Sequence, residues 1–134
     1  MKNNVVLTVA SLLSILFSSF HLADDIVRGM SPGGLPNLIV VVIWVVLLYA
    51  TLVLAGRRSG YVIILVASLL FMVIPVIHLR GHGVGFGTTR SNGFFFIWTL
   101  FALGVTALFS AVLSVRGLLS LRSSETTLSP SPLP

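Results

Sequence analysis

Cysteine is absent from the 134 residues. That excludes disulfide staples, thiolate metal sites and thiol redox catalysis, and it says nothing about compartment. Charge is nearly absent too. Eight Lys and Arg and three Asp and Glu make up 8% of the chain, against about 25% in soluble domains. This scarcity excludes a disordered chain, a coiled coil and an ordinary water-soluble domain. The isoelectric point near 11.3 reflects the shortage of acids. The basic residues are scattered at segment ends and form no cluster, so the electrostatic footprint of a nucleic-acid binder is missing.

Apolar sequence is present in its place. Hydrophobic residues are 56% of the chain and the mean hydropathy is +1.09. Four stretches, 5–23, 38–55, 61–79 and 93–115, contain no Lys, Arg, Asp or Glu and are 19, 18, 19 and 23 residues long. At about 1.5 Å per residue these lengths match a hydrocarbon core of about 30 Å. Barrel strands would be shorter and would alternate in polarity. In lipid the backbone must satisfy its own hydrogen bonds, which makes each stretch a helix. The expected fold class is all-α, a four-helix antiparallel transmembrane bundle forming one domain over 1–122, followed by a disordered Ser/Thr/Pro-rich tail at 123–134. The first stretch also has the outline of a signal peptide. Cleavage after Ala23 would put His21 at −3, and Ser18-Ser19 runs into bulky Phe20, so a retained helix is expected.

Lys2, Arg57, Arg58, Arg116 and Arg122 fall on one side of such a bundle and Arg28, Arg80 and Arg90 on the other. The excess places both termini in the cytoplasm of a bacterial inner membrane. Turns are expected at 31–37 (Ser-Pro-Gly-Gly-Leu-Pro-Asn), where Pro36 or Asn37 suits a first helical turn, and at 56–60. The loop 81–92 carries alternating glycines at 81, 83, 85 and 87. These lack the strand and helix context of a nucleotide fingerprint.

In the first helix Ser11, Ser14, Ser18, His21, Asp25 and Arg28 follow spacings of 3, 4, 3, 4 and 3, one face of a helix. Small hydroxyl residues on that face suit close helix packing, and the helix is expected to continue to about Arg28. The third helix repeats the pattern with Ser68, Phe71, Pro75, His78 and His82. The fourth offers Thr99, Ala102, Thr106, Ser110 and Gly117 as a packing stripe. Trp98, Phe94, Phe95, Phe96 and Tyr61 suit aromatic belts at the membrane interfaces.

All three histidines and both aspartates thus fall at the outer ends of the first and third helices. Ionisable groups at membrane depth tend to mark function. Three readings are open. Asp24 and Asp25 can pair with Arg28, Arg80 or Arg90 while the histidines bridge helices. A divalent metal such as Zn, Fe, Mn or Cu can be held by His21, Asp25, His78 and His82, with His21 and Asp25 ligating from one helix face. Haem b can be held between His21 and His78. No His-Glu-x-x-His motif and no nucleophile elbow occurs.

The strings His-Leu-Ala-Asp-Asp-Ile-Val-Arg-Gly at 21–29, Pro-Gly-Gly-Leu-Pro-Asn-Leu at 32–38 and Arg-Arg-Ser-Gly-Tyr-Val-Ile at 57–63 resemble those of small four-span bacterial integral membrane proteins of unknown function. The resemblance implies the fold and no activity. The vitamin K epoxide reductase type is excluded by the missing cysteines. The sequence thus favours a non-catalytic accessory or helix-packing partner, meeting the lipid bilayer and other integral membrane proteins and no nucleic acid. The alternative is a small membrane enzyme or carrier with a metal or haem site at the outer ends of the first and third helices.

Overall fold

A computed structural model describes residues 2–80 and 93–127. It contains four α-helices, α1 (Lys2–Val27), α2 (Leu38–Leu52), α3 (Arg58–Arg80) and α4 (Gly93–Thr127), with a short 3-10 turn at Leu35–Asn37 leading into α2. No strand occurs among the described residues. The protein is an all-α antiparallel bundle in which every helix is long and apolar enough to cross a membrane. Loop 81–92, with His82 and Arg90, lies outside the described residues, as does the tail from 128 onward.

Helix α2 shows why lipid decides the structure. Seven of its first nine residues are Val or Ile, β-branched types that lose rotamer freedom in a helix and favour strands in water. Inside a bilayer a strand edge has no partner for its amides, so the helix wins. Its 15 residues span about 22 Å. The 3-10 turn, started by Pro36, adds about 6 Å and brings the segment to membrane thickness.

Helices α1 and α3 pack closely along α4, while α2 leans more lightly on α1 and α3. The seam is built from small residues. Ser11, Ser14 and Ser18 on α1, Ala67 and Ser68 on α3, and Ala107, Ser110 and Ser114 on α4 are buried, which lets the backbones approach. Ser14 donates to the Ala10 carbonyl at 3.0 Å, a bond within its own helix. Ser18 accepts from Trp44 Nε1 at 2.8 Å and ties α2 to α1. At the end near the N-terminus, the Tyr61 hydroxyl donates to Asn4 Oδ1 at 2.7 Å, and its ring lies where a side chain on Gly117 would project. One tyrosine thus fastens α1, α3 and α4.

Two expectations need correction here. Tyr61 and Phe96, assigned above to aromatic belts, are 7% and 5% exposed and belong to the interior. A belt is a compositional signature and carries no information on how a helix is rotated. Residues Arg58, Ser59 and Gly60, expected in a turn, form the first turn of α3. The chain reverses over 53–57, where Gly56 has φ +77° and the Arg57 amide donates to the Leu54 carbonyl at 3.0 Å. That carbonyl occupies the space a Cβ on Gly60 would need, so the glycine there is a steric requirement.

Candidate functional site

The serine face of α1 ends at His21 and Asp25, and the structure keeps both inside, at 3% and 9% exposure. The helix stops just beyond them in a glycine-capped turn. Gly29 adopts φ +71°, its amide donates to the Ile26 carbonyl at 3.0 Å, and the Met30 amide donates to the Asp25 carbonyl at 2.8 Å. This paired bonding is the Schellman arrangement. The backbone that carries Asp25 is therefore pinned before its carboxylate does anything.

Asp24 and Asp25 take opposite roles although they are neighbours. Asp24 Oδ2 accepts from Arg28 Nε at 2.6 Å, one turn along the same helix. The Arg28 guanidinium also lies 5.3 Å from the centroid of Phe96, within cation–π range. Asp25 turns instead toward the histidines. Its Oδ2 is 3.7 Å from His21 Nε2 and 3.5 Å from His78 Nε2.

His78 comes from α3 and is oriented by its own helix. Its Nδ1 lies 2.8 Å from the Ile74 carbonyl. A carbonyl can only accept, so Nδ1 carries a proton, and in the neutral ring Nε2 keeps the lone pair. A histidine that donates one ring nitrogen and presents the other is oriented as metal-ligating histidines are. His21 and His78 meet edge to face with centroids 4.8 Å apart, and Phe96 from α4 closes the third side, 5.0 Å from His21 and 5.6 Å from His78.

Both ring nitrogens of His21 and Oδ1 of Asp25 are buried without a hydrogen-bond partner among the described residues. Orphaned buried groups of this kind cost about 1–3 kcal/mol each. The packing seam carries three as well, the hydroxyls of Ser11, Ser110 and Ser114, so what sets this group apart is that its atoms lie together. One ligand atom from each of His21, Asp25 and His78 falls within 4.8 Å of the others. Metal bonds of about 2.0–2.1 Å in a tetrahedron place ligand atoms about 3.3 Å apart. The 3.5 and 3.7 Å from Asp25 Oδ2 are within a few tenths of that, and the set as a whole, which spreads to 4.8 Å, has to draw in by about 1.5 Å at its widest to close around an ion.

Three of the four ligands expected from sequence are thus brought together, and the fourth, His82, lies outside the described residues. Phe96 and the Ile74 carbonyl were not foreseen. Phe96 lies three residues before Thr99, a spacing that puts it on the packing stripe of α4, and a main-chain acceptor leaves no residue-type signal. Haem fits poorly. Two imidazoles on opposite faces of one macrocycle are separated by its thickness, and these rings are already in edge contact. Comparison with known protein families, with curated proteins and with solved structures finds no match to this chain.

Proposed function

We propose that this multi-pass membrane protein holds a divalent transition-metal ion between α1 and α3, ligated by His21, Asp25 and His78. The supporting observation is the convergence of these side chains on one small volume, with the His21 nitrogens and Asp25 Oδ1 buried and, among the described residues, without a hydrogen bond. Two imidazoles and one carboxylate suit Zn, Fe, Mn or Cu and leave coordination positions open. An open position is what a small membrane enzyme needs for a substrate and what a carrier needs for exchange. His78, the most exposed of the three at 21% of its side chain, marks the side from which either would approach. In the orientation that the Lys and Arg distribution favours, this end faces away from the cytoplasm, both termini lie inside, and the membrane is a bacterial inner membrane.

A non-catalytic accessory role, which the sequence alone favours, draws on α2. It packs lightly and turns Ile39, Val42, Val45 and Tyr49 outward. Lipid covers such a face as well as a partner helix does, whereas lipid does nothing for buried imidazoles, and that difference favours the metal site.

Elemental analysis of protein purified without chelators tests the proposal. One Zn, Fe, Mn or Cu per chain is expected, and His21→Ala or His78→Ala should lose it. Metal-free wild-type protein, or metal indifferent to both substitutions, would overturn it.

A further inference from the structure

The opposite end of the bundle carries a different chemistry. Arg57, Arg58, Arg116 and Arg122 are all exposed there, while Asp24 and Asp25 sit at the far end. The acid nearest Arg116 and Arg122 in the sequence is Glu125. Between the start of α3 and the late part of α4, Arg58, Val62, Leu118, Leu119, Leu121 and Arg122 line a groove of about 400 Å³. Its floor is aliphatic and its two cationic residues come from different helices.

The depth of this groove follows from the packing around Tyr61. That residue bonds Asn4, where the first span begins, and lies against Gly117. Arg58 is three residues before Tyr61 and Arg122 five residues beyond Gly117, so both stand about 5–8 Å further out. A bilayer whose edge lies at Asn4 would bring its headgroups to this level. The aliphatic residues of the groove continue from there toward the hydrocarbon.

We propose that this groove binds an anionic phospholipid, its phosphate between Arg58 and Arg122 and the start of its acyl chains along Val62, Leu118 and Leu119. Guanidinium groups match phosphate oxygens with paired N–H donors, and basic pockets between transmembrane helices recognise lipid headgroups in this way. A free inorganic anion would use the arginines and leave the aliphatic floor unmatched. A zwitterionic lipid would match the floor and bring a cationic group to the arginines. An anionic phospholipid satisfies both.

Native mass spectrometry of the full chain in detergent, with dioleoyl-phosphatidylglycerol or dioleoyl-phosphatidylcholine added, tests this. The wild type should retain phosphatidylglycerol with a preference of about thirtyfold, the size expected from two interfacial arginines. The preference should fall to parity in Arg58→Gln/Arg122→Gln. It should persist in Arg57→Gln/Arg116→Gln, which removes the same charge outside the groove lining, and it should survive millimolar inorganic phosphate. All four residues are exposed, so both variants should keep the helical circular dichroism of the wild type. Equal retention of the two lipids by the wild type, identical behaviour of the two double variants, or displacement by phosphate would each overturn the proposal.

Discussion

His78 meets Asp25 across the interface of α3 and α1 with 3.5 Å between Nε2 and Oδ2. The other nitrogen of His78 is held by the Ile74 carbonyl at 2.8 Å, and the backbone of Asp25 is held by the glycine-capped end of α1. Both partners are therefore positioned by bonds that do not depend on each other. Such preorganisation is what a metal site needs, because little ordering is left to be done when the ion arrives.

Removing a ligand should therefore abolish binding rather than weaken it modestly. Partners that merely orient a ligand contribute about 10–100-fold in metal affinity. Each of His21→Ala, Asp25→Asn and His78→Ala should exceed that range, measured by competition with a chromophoric chelator. Acidification should release the ion from the wild type, because protons compete for both imidazoles and for the carboxylate.

The two neighbouring aspartates should behave differently. Asp24 serves the Arg28 pair, a partly exposed ion pair of a kind that contributes about 0.2–1 kcal/mol. Asp24→Asn should cost about that much in thermal stability and leave metal affinity within about twofold, while Asp25→Asn removes a ligand. Equal loss of metal in both variants would contradict this division.

Packing at the opposite end makes a steric prediction. A methyl on Gly60 would run into the Leu54 carbonyl and one on Gly117 into the Tyr61 ring, whereas one on Gly93 would meet nothing among the described residues. Overpacking of this kind costs about 1–3 kcal/mol. Gly60→Ala and Gly117→Ala should lower the thermal midpoint in detergent, and Gly93→Ala should leave it unchanged.

The contact between α2 and α1 can be measured directly. Trp44 donates to Ser18 at 2.8 Å. Hydrogen bonds between membrane helices couple by about 0.6 kcal/mol on average in double-mutant cycles. A cycle of Trp44→Phe and Ser18→Ala should return a coupling of that size, and a value indistinguishable from zero would remove this bond from the account.

Most of the bundle and part of the site were legible in the residues themselves. The spacing of Ser11, Ser14, Ser18, His21 and Asp25 identified a buried face because helical period depends only on position, and all five are buried. Long apolar runs located the four helices for the same reason. What was missed depends on the third dimension. Gly60 looked like turn composition, and its place inside a helix is fixed by the Leu54 carbonyl from across the reversal. Phe96 was one of three consecutive phenylalanines, and although its spacing from Thr99 put it on the packing stripe, only the approach of α1 and α3 to α4 brings it to the histidines. The apolar run of the fourth segment stops at Arg116, yet α4 continues to Thr127, because a charge can end a membrane span without ending a helix.

Orientation can be read with single cysteines, since the chain has none of its own. Ser123 is exposed and Met30 is 45% exposed. With both termini inside, Met30→Cys should react with a membrane-impermeant maleimide on intact cells. Ser123→Cys should react only with a permeant one. The reverse pattern would place the His–Asp cluster at the cytoplasmic face.

The most direct measurement is a cobalt titration of chelator-stripped protein followed by visible absorption. Cobalt reports ligand number and geometry in sites of this kind, which zinc cannot. The wild type should develop ligand-field bands that saturate at one ion per chain and are displaced by zinc, and His21→Ala, Asp25→Asn and His78→Ala should each abolish them. Absence of a saturable spectrum in the wild type, or an identical spectrum in all three variants, would contradict the assignment of these residues as a metal site.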